Sequence, residues 1–145
     1  MALSKISEMG GQVIIGDYSD EFIVPAKGDG TVKPGNPCYI NAAGQAVQTD
    51  KDAVDLFLGF VLPSHETDVD AVVTSGANCS VVIPKSGHLY ATFIVDLNLS
   101  GTGIPLMFTT TAGSLGVAAG IEVDVCAKTY RYLDGDTVGI IIWGI

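Results

Sequence analysis

Charge is scarce in this chain. Asp, Glu, Lys and Arg make up 16% of its 145 residues, against about 25% in an ordinary globular domain. A surface so poor in charge favours contact between subunits, with Thr, Ser, Asn and Gly left to solvate the remainder. Basic residues are scarcer still: seven Lys and Arg face sixteen Asp and Glu, for a net charge of −9. The seven (Lys5, Lys27, Lys33, Lys51, Lys85, Lys128 and Arg131) are scattered. Phosphate binding needs clustered cations, so free nucleic acid is excluded as a partner. No apolar run reaches the length of a membrane span, so no membrane partner is expected. MALSKISEMGG, residues 1–11, has no apolar core of signal-peptide length. The expectation is synthesis in a cytoplasm without a cleaved export signal.

Cysteine and histidine are equally sparse. Cys38, Cys79 and Cys126 have no metal-ligand spacing, and their odd number argues against a full disulfide framework. They read as small buried hydrophobes. The two histidines, His65 and His88, have no nucleophile elbow in the sequence to serve. Asp50, Asp52 and Asp55, then Glu66, Asp68 and Asp70, then Asp134 and Asp136 could each offer a few oxygens to a cation. None follows the EF-hand pattern, and Asp134-Gly135-Asp136 reads as a turn. Gly28-Asp29-Gly30 and Gly101-Thr102-Gly103 lack the helix and the Lys-Ser/Thr of a phosphate loop. The aromatics are spread over separate strands, as core and interface residues are. No cofactor, metal or catalytic residue is expected.

Long helices are missing too. What remains is glycine, at 18 residues, punctuating short β-rich runs. Strands are expected at residues 12–15 and 20–25. Residues 27–35 read as a loop with a Pro34-Gly35 turn. A hairpin runs over 38–41 and 45–48 around Ala42-Ala43-Gly44. TDKDAVDLF suits one helical turn capped by Thr49 or Asp50. LFLGFVLP, residues 56–63, is apolar enough to be buried on both faces. CSVVIP and HLYATFIV form a strand pair joined by Lys85-Ser86-Gly87. Residues 121–128 alternate as a strand with one wet face. Leu3, Ile6, Met9 and Val13 recur at helical spacing, broken by Gly10-Gly11, and residues 1–11 are read as an arm that orders against a neighbour.

The chain echoes itself. PGNPCYINAAGQAV at 34–47 resembles TGIPLMFTTTAGSLGV at 102–117. Each is followed by an apolar strand, and each unit closes on a β-branched run, SVVIP at 80–84 and TVGIIIWGI at 137–145. The terminal GIIIWGI, with the sole tryptophan, Trp143, is therefore expected to be a closing strand covered by its own domain or by another chain. The fold class is all-β, a small barrel or sandwich. Residues 1–24 form an N-terminal arm and first strands. Residues 25–145 form a single β domain with a weak internal duplication.

TVKPGNPCYINAAGQAVQ, LGFVLP, VVIPKSGHLYATF, IPLMFTTTAGSLG and GDTVGIIIWGI together resemble the capsid decoration, or cement, proteins of tailed viruses. The likeness spans about residue 31 to the end. It implies a β-tulip-like fold without enzymatic activity. It also implies homotrimers on the exterior of an icosahedral head, made in the host cytoplasm, that cement neighbouring major capsid proteins. An extended N-terminal arm would reach the capsid or an adjacent subunit. The contact residues would then be Leu3, Ile6, Met9, Phe22 and Ile23, with Trp143 at the other end of the chain. A different virion part (a tail or fibre subunit) or a trimeric β-barrel enzyme with a dispersed site are the alternatives.

Overall fold

A computed structural model describes residues 3–16, 18–64, 68–95, 103–118, 125–131 and 137–144. It is all-β. The strands are β1 (Ile14–Ile15), β2 (Phe22–Gly28), β3 (Pro37–Ile40), β4 (Gln45–Gln48), β5 (Gly59–Val61), β6 (Asn78–Ile83), β7 (Leu89–Val95), β8 (Pro105–Phe108), β9 (Leu115–Val117), β10 (Ala127–Arg131) and β11 (Val138–Trp143). Short 3-10 turns cover Ile6–Met9, Tyr18–Asp20 and Lys51–Leu56.

Two small barrels share this chain. In the first, β2, β4, β3, β5 and β6 close in that order. In the second, β7, β11, β10, β8 and β9 form a ring that a β7–β9 pairing closes, with β1 added outside β7. The wiring is the same in both. β2 runs parallel to β4 as β7 does to β9, and all other pairs are antiparallel. The registers also coincide. Cys38 pairs with Gln48 and Gly59 as Leu106 pairs with Val117 and Ala127. Val24 pairs with Val81 as Tyr90 pairs with Ile141. The two Ala-Gly turns match as well: Gly44 and Gly113 sit at φ 78° and 79°, the left-handed region that glycine enters at least cost.

The cores follow the pleat. On β5, Val61 points into the first barrel with Val32, Cys38, Ala46, Val73, Cys79 and Val81, while Phe60 points out of it. Val81 and Val82 on β6 divide in the same way. The outward set, Phe60 and Val82 with Leu62, joins the core of the second barrel. The expectation that LFLGFVLP is buried on both faces therefore holds for residues 59–62, because one face is barrel interior and the other is the seam between barrels, but not for Leu56, which is exposed at the end of the 3-10 turn. Gly59 makes the tight strand packing here possible, since a Cβ would sit 1.9 Å from the Val82 carbonyl oxygen.

Several boundaries differ from the sequence reading. β2 extends through Gly28, into the expected loop, because Lys27 and Gly28 pair with β4. The Pro34-Gly35 turn is present, closed by Asn36 N–H donating to Lys33 C=O at 3.0 Å. Asp50 caps the 3-10 turn, accepting from the N–H groups of Asp52 and Ala53. β10 starts at Ala127, so the expected strand over 121–128 lies mostly before it, and residues 121–124 fall outside the described set.

The N-terminal segment departs furthest from expectation. Ile6 is fully buried in the chain's own core, with Leu3 and Met9 packed against it. Thr137 N–H donates to Leu3 C=O, and Ser7 N–H to Asp70 Oδ1. The segment is thus packed into the chain's own core, with Ile6 beside Gly35 and Phe93, and Ile6 has no surface to offer a neighbour. Ile6→Ala should lower stability by about 2–5 kcal/mol, the range for emptying a buried isoleucine site. A urea unfolding midpoint that did not move would show that this packing is dispensable.

Candidate functional site

The most exposed large apolar side chains on any strand of the first barrel are those of Phe22 (60% exposed) and Ile23 (42%), both on β2. β2 is unusual for a barrel strand. On one side it pairs with β6 along six residues, Phe22 to Lys27. On the other it meets β4 only at Lys27 and Gly28. Phe22 to Ala26 therefore project past the closed part of the barrel as a sheet edge. Lys27 N–H points away from β6 and donates to Gly44 C=O. By the strand's alternation, Ile23 directs its N–H and C=O the same way, and Pro25 its C=O. Among the described residues no strand pairs with them there. The side chains of Ile23, Pro25 and Lys27 are exposed, while Val24 and Ala26 turn towards the barrel core.

Immediately before this edge lies a buried carboxylate. The Glu21 side chain is 2% exposed. Its Oε1 lies 2.7 Å from His88 Nδ1, and its Oε2 accepts the Tyr90 hydroxyl at 2.7 Å. The Tyr90 oxygen in turn accepts from Lys85 N–H at 2.9 Å, and Lys85 Nζ donates to Asp20 C=O. Burial pushes the Tyr90 phenol well above its ordinary range, and the Glu21 carboxylate adds to the shift. Tyr90 is thus a neutral donor, as the geometry requires. A shallow cleft of about 230 Å³ opens beside the group, lined by Ile15, Asp20, Glu21, Gly87, His88 and Leu89. Ser86, the hydroxyl next to it in sequence, donates to Gly144 C=O at 3.2 Å. Both carboxylate oxygens serve to tie the start of β2 to β7, so the network fixes the angle at which the apolar edge leaves the molecule.

The sequence reading missed this network. Glu21 looks like a solvated strand residue, and its partners lie 67 and 69 positions away.

Of the expected contact residues, Phe22 and Ile23 are exposed on one strand, whereas Leu3, Ile6 and Met9 pack into the chain's own core. Trp143 also turns inward, with its ring centroid 5.1 Å from that of Phe57 and 5.7 Å from that of Phe60. Asp29 accepts from Thr31 N–H and Oγ1, closing a turn. Asp68 and Asp50 likewise bond nearby backbone N–H groups. Among the described residues no three His, Cys, Asp or Glu side chains converge on one point. His65, Glu66, Gly101, Thr102, Tyr132, Asp134 and Asp136 lie outside the described residues.

Burial raises all three thiols, Cys38 and Cys126 to about 12. Thiolate is the reactive form, so a disulfide reagent at pH 8 should leave the native thiols unmodified and titrate all three once the chain is unfolded. In the unfolded chain these thiols ionise near 9 and the phenol near 10. The stability they contribute is therefore complete below about pH 9 and is lost as pH rises towards their folded values. Removing the carboxylate with Glu21→Ala should cost about 2–4 kcal/mol, since each hydrogen bond to a charged group contributes about 1.5–3 kcal/mol. Combining it with Tyr90→Phe should cost less than the sum of the two single changes; strict additivity would show that the residues do not act as one network. No known protein family matches the sequence, and no curated protein does either.

Proposed function

We propose that this chain is a structural virion protein that binds the exterior of an icosahedral capsid and cements neighbouring major capsid proteins. The observation that carries the reading is the exposed apolar β2 edge, Phe22 and Ile23, held on a rigid double barrel. An apolar strand left in water is a surface built for contact. Burying each of these side chains contributes about 1.5–3 kcal/mol before docking costs. That is modest for one copy, but repetition over a shell converts modest contacts into avidity. The resemblance to cement proteins in the two Gly-x-Pro hairpins and the closing strand supports the same reading. Those hairpins are β3–β4 and β8–β9, which occupy equivalent places in the two barrels. The homotrimer that the resemblance implies belongs to this proposal. The sparse charge suits a protein that spends its surface on partners.

Two measurements test this. Mass spectrometry of purified heads and of separated tails should find the chain with the heads; finding it with tails alone would move it to another virion part. Heads stripped of the chain should rebind the wild type and bind the Phe22→Ser/Ile23→Ser double variant at least tenfold more weakly. Equal binding by a folded double variant would remove β2 from the contact.

A further inference from the structure

The duplication shows what belongs on the open edge of β2. The strand equivalent to β2 in the second barrel is β7, in the same register: Ile23 corresponds to Leu89 and Val24 to Tyr90, because each pair faces equivalent partners on β6 and β11. β7 likewise meets its parallel neighbour only at its far end, Ile94 and Val95. Its early half is not bare. Ile14 and Ile15 of β1 pair with Tyr90 and Leu89, and Ala91 N–H donates to Val13 C=O at 2.8 Å. One barrel thus has an apolar extended segment, Val-Ile-Ile, lying antiparallel on this edge. Among the described residues the other barrel has nothing there.

We infer that the β2 edge is filled by the β2 edge of a second copy of this chain, antiparallel across a two-fold axis. Two arguments select this occupant. The segment that fits the equivalent edge is Val13-Ile14-Ile15, and β2 offers the same chemistry in Phe22-Ile23-Val24. Isologous pairing satisfies both open edges with a single contact.

The direction of the free backbone groups sets the register. Ile23 opposite Ile23 lets the two residues exchange both N–H···O=C bonds. Glu21 then lies opposite Pro25, which has a carbonyl to accept with and no N–H to leave unpaired. The paired strands present two Ile23 and two Pro25 side chains on one outer face. The pair enlarges the apolar surface available to a capsid without depending on that capsid, and in the homotrimer of the proposed function it would link one trimer to a neighbour.

Cysteine crosslinking tests the pairing in the full-length protein. Residues opposite each other in a hydrogen-bonded antiparallel pair have Cα atoms about 5.5 Å apart, within the reach of a disulfide. Ile23→Cys should oxidise to a covalent dimer, read on a non-reducing gel, whereas Pro25→Cys should not, because that residue faces Glu21 in this register. The wild type, with Cys38 and Cys79 buried and Cys126 half-buried, should stay uncrosslinked. Absence of an Ile23→Cys dimer at millimolar chain would overturn the inference and assign the edge to another occupant. Equal crosslinking of Ile23→Cys and Pro25→Cys would overturn the register and with it the two-fold pair. Head binding is scored separately, so either reading can fail without the other.

Discussion

The structure depends on one contact, the burial of the outer face of the first barrel in the core of the second. Phe60, Leu62 and Val82 leave the barrel that carries them and enter a core with Tyr90, Leu106, Phe108 and Ile141. Phe60 stacks on Tyr90 at 5.6 Å, and Phe57 and Trp143 close around it. A five-strand barrel of about sixty residues buries too little surface to be secure alone. Sharing a core removes that limit. Polar ties follow the same seam: Asn36 Nδ2 donates to Gly113 C=O, Gly113 N–H to Thr49 C=O, and Thr92 Oγ1 to Gly35 C=O.

The seam also breaks the symmetry of the duplication. The position equivalent to Phe60 is Lys128, and that equivalent to Val82 is Ile142; both are half-buried, where Phe60 and Val82 are fully buried in the seam. The N-terminal segment packs into the shared core through Ile6 and adds β1 to the second barrel. Among the described residues, half of β2 is left unpaired on one side. Glu21, locked by His88 and Tyr90, fixes the direction of that half, so the buried polar network and the exposed apolar strand serve the same surface.

Much of this was legible in the residues. The paired Gly-x-Pro and Ala-Gly signals located β3–β4 and β8–β9, because turn chemistry is local and glycine is required where φ is positive. The double-sided apolar run at 56–63 foretold β5. The fate of the N-terminus was not legible. Leu3, Ile6 and Met9 at helical spacing describe one apolar side of a segment and say nothing about whose core receives it. Trp143 left the same choice open, since a half-buried tryptophan in an intramolecular seam and one in a subunit contact have the same sequence signature. Glu21 was hidden because hydrogen bonds across 67 residues leave no local pattern.

The central claim is that two barrels form one folded body, which carries β2 as a fixed edge. Native-state hydrogen exchange tests it most directly. The account predicts that amides in β5 and β6 of the first barrel and in β7 and β11 of the second exchange through one common opening, with a single free energy and denaturant dependence. If the first barrel opened separately while the second stayed protected, the shared core would not be what holds the molecule together.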